Sequence, residues 1–279
     1  MRVIQMVRAL AVHHGIFGRI AIYRFCEPMV SHAHREAHLT FLLDGPESDM
    51  PVEGKPGPLT QETVVGCSPW YEHAFKPGSL VEPSTFLVLY VSPVWFAQRE
   101  SQFLSGIAFG THLFYRTQKI KGYVNRLANL LMMGDTSDLI EGYIYELTRE
   151  SFNESLSASN SNDQLISGQR RVSDYRVRRS IETMKNKVGN TMIIEEIAAS
   201  SGLSRAHFFK LFKENTGLSP NIYLNTLRVE ESLRQIVNPR QTIGAISENL
   251  GFSSQASFSR FFTSHVGLAP GEYRQFAAI

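Results

Sequence analysis

The sequence predicts an α+β protein of two domains, with a β-rich N-terminal half and an all-α C-terminal domain that holds two helix-turn-helix motifs. Three observations support this prediction. Short apolar runs separated by turn residues fill roughly the first 115 residues, a serine- and asparagine-rich stretch follows, and the last 90 residues repeat one pattern twice. We place the domains at residues 1–150 and 171–279, with a linker at 151–170.

Four short runs in the N-terminal half are typical of β-strands: residues 19–25, 39–43, 63–67 and 86–91. Glycine, proline and aspartate separate these runs. Many short strands with regular turn signals favour a barrel or a sandwich.

Helical spacing begins near Thr117. One helix carries an apolar stripe at Ile120, Val124, Leu127, Leu130 and Leu131. After Gly134 and Asp135, a second helix carries a similar stripe at Leu139, Ile140, Tyr143, Ile144 and Leu147. Two such helices joined by a short turn form an αα-hairpin. The stripe packs either on its own domain or on a second copy, and the sequence leaves both alternatives open.

Residues 151–163 contain five serines and three asparagines, a composition that predicts a flexible, poorly packed linker. Charge also changes across this stretch. Residues 170–279 carry 15 Lys+Arg against 9 Asp+Glu, whereas residues 1–169 carry 13 against 17. A basic C-terminal half joined to an acidic N-terminal half fits nucleic-acid contact confined to one domain.

The two cysteines, Cys26 and Cys67, form no Cys-x-x-Cys pair, which argues against a disulfide framework and a cysteine zinc site. We expect free thiols in a reducing cytoplasm. The N-terminus is too rich in arginine and histidine for a secretory signal. The sequence contains no run of 18 apolar residues, so we predict no membrane span.

The C-terminal repeat has an offset of 49 between Gly202 and Gly251 and of 50 between Phe208 and Phe258. Each copy predicts a helix-turn-helix, in which the glycine ends the first helix and a serine (Ser204, then Ser253 or Ser254) caps the second. The predicted core stripes are Phe208, Leu211 and Phe212 in the first copy and Phe258, Phe261 and Phe262 in the second.

The second helix of each copy leaves a face outward for a DNA groove. In the first copy this face comprises Arg205, Ala206, Phe209, Lys210 and Lys213. In the second copy it comprises Gln255, Ala256, Ser257, Ser259 and Arg260. Arginine pairs with guanine and glutamine with adenine, while serine reaches bases or phosphates.

Between the copies, Ser219 and Pro220 open a helix that we expect to end at about Val237, before Asn238 and Pro239. Its length of roughly 27 Å approaches the roughly 34 Å repeat of DNA. The two motifs would then read successive major grooves.

Residues 173–276 resemble the DNA-binding domain of the AraC/XylS family of bacterial transcription regulators, most closely in GFSSQASFSRFFTSHVGLAPGEYRQF. The resemblance implies that Arg205, Ala206, Phe209 and Lys210 face bases in the first motif, and Gln255, Ala256, Ser259 and Arg260 in the second. Phe209 departs from the family, which usually has a polar residue there. Its ring would pack either on a thymine methyl or against the helix that connects the two motifs. The resemblance also implies an activator that contacts RNA polymerase, located in the bacterial cytoplasm at the nucleoid.

A histidine-rich segment is the most informative part of the N-terminal half. On one strand, His32, His34, Glu36 and His38 would share a face, and Trp70 and His73 follow later. Residues 15–95 thereby resemble the cupin barrel that AraC-type regulators often carry as an effector domain. We predict an effector site lined by His32, His34, Glu36, His38, Trp70 and His73.

The same histidines suggest an alternative, because His32, His34, His38 and His73 could together bind a divalent metal. Our first hypothesis is a homodimeric, effector-responsive regulator that has no cofactor. The alternative is a metal-sensing regulator, or a cupin enzyme fused to a DNA-binding domain. We expect no enzyme, since the sequence offers no Ser/His/Asp triad, Gly-rich phosphate loop or activated cysteine.

Overall fold

The computed structural model describes residues 7–99, 107–135, 137–159, 172–188 and 194–277. The chain divides into two compact units. The first comprises Met1–Val30 and Arg35–Gly168, and the second comprises Ser31–His34 and Gln169–Ile279. The predicted α+β class is confirmed, because the N-terminal region is rich in strands and the C-terminal region is helical.

The strands of the described residues are β1 (Val7–Gly15), β2 (Gly18–Phe25), β3 (Met29–His32), β4 (Ala37–Asp44), β5 (Ser48–Asp49), β6 (Pro58–Leu59), β7 (Thr63–Cys67), β8 (His73–Phe75), β9 (Ser84–Val91) and β10 (Leu113–Tyr115). An antiparallel six-stranded sheet forms the centre of the first unit, in the order β1-β2-β9-β4-β7-β10. The four predicted strands correspond to β2, β4, β7 and β9.

The two faces of this sheet differ in chemistry, because side chains alternate along each strand. One face is aliphatic: Ile20, Leu89 and Leu39 are successive partners across β2, β9 and β4, and all three belong to the main core. The other face includes a row of polar and aromatic side chains, among them Arg19, Tyr90 and His38. Both faces are buried at the centre of the sheet, so β2, β4, β7 and β9 show long runs of buried residues.

The helices of the first unit are α1 (Pro93–Arg99), α2 (Gln118–Met132) and α3 (Asp138–Ser157). The side chain of Thr117 caps α2 by accepting a hydrogen bond from the backbone N–H of Ile120. Helices α2 and α3 form the predicted hairpin, and its stripe packs into the aliphatic core of the same unit. The intramolecular alternative is therefore the one observed, although Leu139 at the start of α3 is 61% exposed.

The linker predicted to begin at residue 151 is wrong in its first seven residues, because α3 continues to Ser157. Ser151 and Ser155 are fully buried. The Ser155 hydroxyl donates to the carbonyl of Phe152 and accepts from the N–H of Gly110, so its burial leaves its hydrogen bonds intact. Residues 160–171 lie outside the described part of the chain, and the remainder of the linker stays a prediction.

The second unit is helical: α4 (Tyr175–Asn186), α5 (Ile194–Ser200), α6 (Arg205–Thr216), α7 (Pro220–Ile236), α8 (Ile243–Asn249), α9 (Gln255–Val266) and α10 (Pro270–Ala277). Phe208 and Phe212 are completely buried, as are Phe258 and Phe262. The third member of each predicted stripe, Leu211 or Phe261, is only half-buried. It lies at the edge of the helix face that packs inward.

The local signals of the repeat have the predicted structural roles. Gly202 and Gly251 adopt positive φ angles of 67° and 72°, in the turns that precede α6 and α9. Ser204 caps α6, and Ser254 rather than Ser253 caps α9. No helix in the described residues has both the length and the apolar character that a membrane crossing requires.

Candidate nucleic-acid interface and effector site

Helix α6 presents a basic, exposed face at its N-terminal end. Arg205, Ala206, Lys210 and Lys213 are exposed, and the first turn holds no acidic residue. Phe209 is half-buried, and its ring centroid lies 4.9 Å from the guanidinium carbon of Arg205. The face therefore combines two lysines with a stacked arginine–phenylalanine pair.

Two nearby glutamates partly offset the positive charge of this helix face. The Nε atom of Arg205 lies 2.7 Å from Oε1 of Glu195 on α5, and Nζ of Lys210 lies 4.0 Å from Oε1 of Glu214. All four side chains are more than half exposed. Exposed pairs of this kind add little to stability, and their cations remain accessible to a partner.

Helix α9 presents a weakly charged face of small polar residues. Gln255, Ala256 and Arg260 are exposed, whereas Ser257 and Ser259 are half-buried. The N–H of Ser257 donates to the hydroxyl of Ser254, which ties the first turn to its cap. The two helices thus offer different chemistry at equivalent positions of the repeat.

The histidine segment does not form the single strand that the sequence predicts. Strand β3 ends at His32, residues 33–36 form a loop that includes His34 and Glu36, and β4 begins at Ala37. Pairing of β4 with β9 also begins at Ala37. An alternating pattern defines one face only where the chain is continuously extended, so these four side chains do not share a strand face. The prediction that His32, His34, Glu36 and His38 lie on one strand is therefore wrong.

The metal-ligand set is divided between the two units. His32 and His34 lie in the segment Ser31–His34, which groups with the second unit, whereas His38 and His73 belong to the first. Metal binding by the four histidines together stays a prediction.

In the first unit, His38 lies within a row of buried polar side chains that crosses the sheet. Arg19 on β2 is the partner of Tyr90 on β9, Tyr90 is the partner of His38 on β4, and His38 is the partner of Cys67 on β7. Direct partners lie on the same face of a sheet. Each of these four residues is at most 8% exposed.

Ring contacts and hydrogen bonds connect this row. The guanidinium carbon of Arg19 lies 3.9 Å from the ring centroid of Tyr90, and the ring of His38 stacks on Tyr90 at 4.8 Å. His38 Nε2 is 2.8 Å from the hydroxyl of Thr40. These contacts fix the orientations of the side chains on the polar face.

His73 adds a second imidazole beside the row. Its ring centroid lies 5.2 Å from that of His38, and its Nδ1 atom is 3.3 Å from the sulfur of Cys67. Burial raises the pKa of Cys67 well above its ordinary value, with a smaller contribution from the charge of Glu53. The thiol is therefore protonated at neutral pH, and the cluster carries no thiolate.

Trp70 and Glu36 are less buried members of the predicted effector site. Both are half-buried, and the ring of Trp70 lies 5.7 Å from the guanidinium carbon of Arg35. Sequence reasoning missed Arg19 and Tyr90. The available signal was a charged residue directly before the apolar run Ile20–Ile22 of a strand, Gly18–Phe25, because such a residue must find buried polar surroundings.

Comparison with known proteins identifies the helical region. Residues 197–275 match the family described as a helix-turn-helix domain. This region is an AraC-type helix-turn-helix domain. The match covers α6–α9 and both exposed helix faces described above.

Curated proteins that are similar to this chain are regulators of transcription. The chain is 25% identical over 185 residues to the lactose operon transcription activator of Staphylococcus xylosus, which covers 58% of this chain and 65% of the relative. It is 27% identical over 146 residues to the Msm operon regulatory protein of Streptococcus mutans, covering 52% of this chain and 48% of that protein. The chain thus spans about half to two thirds of the length of these relatives.

The fold resembles that of ToxT from Vibrio cholerae. An apo ToxT structure matches with a TM-score of 0.56 and 14% identity, covering 92% of this chain and 97% of ToxT. ToxT with a bound unsaturated fatty acid matches with a TM-score of 0.53 and 14% identity, covering 95% and 97%. At this identity the likeness concerns the fold, in which a sheet-rich N-terminal region precedes a helical region with the helix-turn-helix domain.

Proposed function

We propose that this protein is a sequence-specific DNA-binding regulator of transcription that responds to a small molecule. The observation that supports this most strongly is the AraC-type domain with two exposed helix faces at equivalent positions of its repeat. The excess of basic residues in the same part of the chain supports DNA as the partner. We place the protein in the bacterial cytoplasm, at the nucleoid.

The DNA-reading elements in this proposal are two helix-turn-helix motifs. Helix α6 follows α5 across one turn and α9 follows α8 across another, and α7, of 17 residues, connects the motifs. Arg205, Lys210 and Arg260 are suited to guanine and Gln255 to adenine, while Lys213 neutralises phosphates. The serines and alanines of the two faces allow the backbone to approach base edges closely.

We place the effector on the polar face of the N-terminal sheet. Arg19, Tyr90, His38 and His73 offer a cation, an aromatic face and two imidazoles, which together suit a small polar or anionic ligand. The unsaturated fatty acid bound by ToxT is an anionic ligand of this kind. To regulate, the ligand must bind one conformation of the protein more tightly than another.

Activation, RNA polymerase contact and homodimer formation complete the proposal. The Staphylococcus xylosus relative is a transcription activator, which supports the first of these. A homodimer would use a surface other than the apolar stripe of α2 and α3, because that stripe is buried in its own unit.

DNA selection with the full-length protein tests the proposal. A pool of random 40-bp duplexes, enriched for binding, should yield a motif of two half-sites. Removing one specific contact costs about 1–3 kcal/mol, so Lys210→Ala combined with Arg260→Ala should weaken binding to that motif by about 100-fold. The control is Lys119→Ala with Arg126→Ala, which removes two exposed cations from the first unit and should change affinity less than two-fold.

Two results would contradict the proposal. The wild-type protein could enrich no sequence from the pool, or the Lys210/Arg260 double variant could bind the selected motif as tightly as the control does. Either result would show that the exposed faces of α6 and α9 do not recognise DNA as proposed.

A further inference from the structure

Arg205, the first residue of α6, contacts an acidic residue of the preceding helix, α5. Glu195 is the second residue of α5, and its Oε1 atom lies 2.7 Å from Nε of Arg205. The contact therefore joins the two helices of the first motif at the edge that would face a DNA groove. Both side chains are exposed, and stability alone gives little reason for such a pair.

The second motif has an equivalent relationship with different residues. Gly244 is the second residue of α8, and Gln255 is the first residue of α9. A Cβ atom added at Gly244 would lie 3.3 Å from Oε1 of Gln255. In both motifs, the second residue of one helix thus lies next to the side chain of the first residue of the other. In the first motif this second residue is Glu195, which carries a carboxylate. In the second motif it is Gly244, which leaves space for the side chain of Gln255.

The geometry at Arg205 leaves one edge of its guanidinium available. Its Nε atom is directed to Glu195, and the ring of Phe209 lies 4.9 Å from its central carbon. Guanine is read by two N–H groups that donate to O6 and N7. With Nε engaged, the two terminal nitrogens remain for this bidentate contact. A long arginine side chain held in one orientation also loses less conformational freedom on binding.

We propose that Glu195 is a positioning residue that holds Arg205 for end-on reading of a guanine in the first half-site. Phe209 packs on the methyl group of a thymine in the neighbouring base pair, because its ring lies against the same guanidinium. The first helix therefore selects a guanine next to a thymine. This inference rests on the proposed function and adds the residue that sets specificity at that step.

The test compares base preferences selected from the same pool of random 40-bp duplexes. The full-length proteins are the wild type, Glu195→Ala, Glu195→Gln and the control Glu196→Ala, which removes a neighbouring carboxylate of α5. We expect Glu195→Ala to lower the preference for guanine at one position by about ten-fold, the range of a single lost base contact. Glu195→Gln retains an acceptor oxygen and should restore part of the preference. Glu196→Ala should keep the wild-type motif.

Affinity for unrelated DNA is a second measurement, which separates a positioning role of Glu195 from a merely structural one. Loss of a carboxylate near the phosphates should raise affinity for unrelated DNA in both Glu195→Ala and Glu196→Ala. Only Glu195→Ala should at the same time lose guanine preference. Thermal melting of each variant checks that the fold is retained.

A second variant tests the equivalent position. Gly244→Ala places a Cβ close to Gln255, and it should reduce the adenine preference of the second half-site without altering the guanine of the first.

The outcomes separate this inference from the proposed function. If the wild type selects no motif, the proposed function fails. If the wild type selects a motif but Glu195→Ala keeps the same guanine preference, the positioning role is wrong. Tighter specific binding by Glu195→Ala, with the preference unchanged, would show that Glu195 masks Arg205 and would likewise overturn the inference.

Discussion

The imidazole of His38 stacks on the phenol ring of Tyr90, with 4.8 Å between ring centroids and 14° between the ring planes. The two residues are partners across β4 and β9, and the guanidinium of Arg19 lies against the same phenol ring. The orientation of each side chain therefore depends on the others. A change at one of them should affect whatever binds on this face of the sheet.

Arg19→Met should abolish stabilisation by an anionic ligand, because it replaces the buried cation with an apolar side chain of similar length. For the wild type, a ligand at 100 times its Kd should add about 2.7 kcal/mol to the free energy of unfolding. Thermal melting against a panel of small carboxylic acids and fatty acids measures this. Arg24→Met, an exposed arginine on the same strand, is the control and should respond like the wild type. An equal response from Arg19→Met would remove Arg19 from the effector site.

Phe208→Ala should lower the free energy of unfolding by about 3–5 kcal/mol, because it leaves a cavity where the ring is completely buried against Phe212. Phe209→Ala removes the adjacent, half-buried ring and should cost less than about 1 kcal/mol. Urea unfolding followed by circular dichroism compares the two variants. Phe209→Ala should instead alter the selected DNA motif. Equal losses of stability would show that both rings belong to the core.

Both cysteines should resist thiol reagents in the folded protein. Cys26 and Cys67 are buried, and burial raises the pKa of each thiol. The thiolate is the reactive form, so a raised pKa lowers its population at pH 8 below that of an ordinary cysteine. A colorimetric thiol assay should detect almost no reactive thiol in the native protein and two after unfolding. Rapid labelling of the native protein at pH 8 would contradict this expectation.

Asp174 should stabilise α4 in a pH-dependent way. Its carboxylate accepts hydrogen bonds from the guanidinium of Arg176 and, with a smaller effect, from the backbone N–H of Arg176, and these bonds lower its pKa to about 2. Because the folded-state pKa is depressed, the contribution is complete above the unfolded value of about 3.9 and is lost as pH falls towards 2. Asp174→Ala should cost about 1 kcal/mol at pH 7 through loss of the cap.

Urea unfolding at pH 7 and at pH 2.5 measures this difference. The gap between the wild type and Asp174→Ala should shrink at the lower pH. Asp174→Asn retains a cap oxygen without the charge, so its stability should vary less with pH than that of the wild type. A gap that is unchanged between the two pH values would show that the carboxylate charge does not contribute.

The sequence predicted the helical repeat well, because its signals act over a few residues. The glycine that needs a positive φ, the serine that caps the next helix and the phenylalanines that share a helix face lie within about four residues of the groups they affect. The same is true of β7, whose bounds Thr63–Cys67 agree with the predicted run. Composition, by contrast, misled at Ser155, because a buried serine can satisfy its hydroxyl within its own helix.

By itself, the sequence determined the α+β class, the order of the helices in the repeat and the faces they leave exposed. Only the tertiary structure decided which polar side chains meet in the N-terminal unit. The row from Arg19 through Tyr90 and His38 to Cys67 depends on the register of four strands, and the extended segment predicted through His32 and His38 is interrupted by a loop. Strand register is fixed by contacts between residues far apart in the chain, and a single sequence carries no local signal for such pairings.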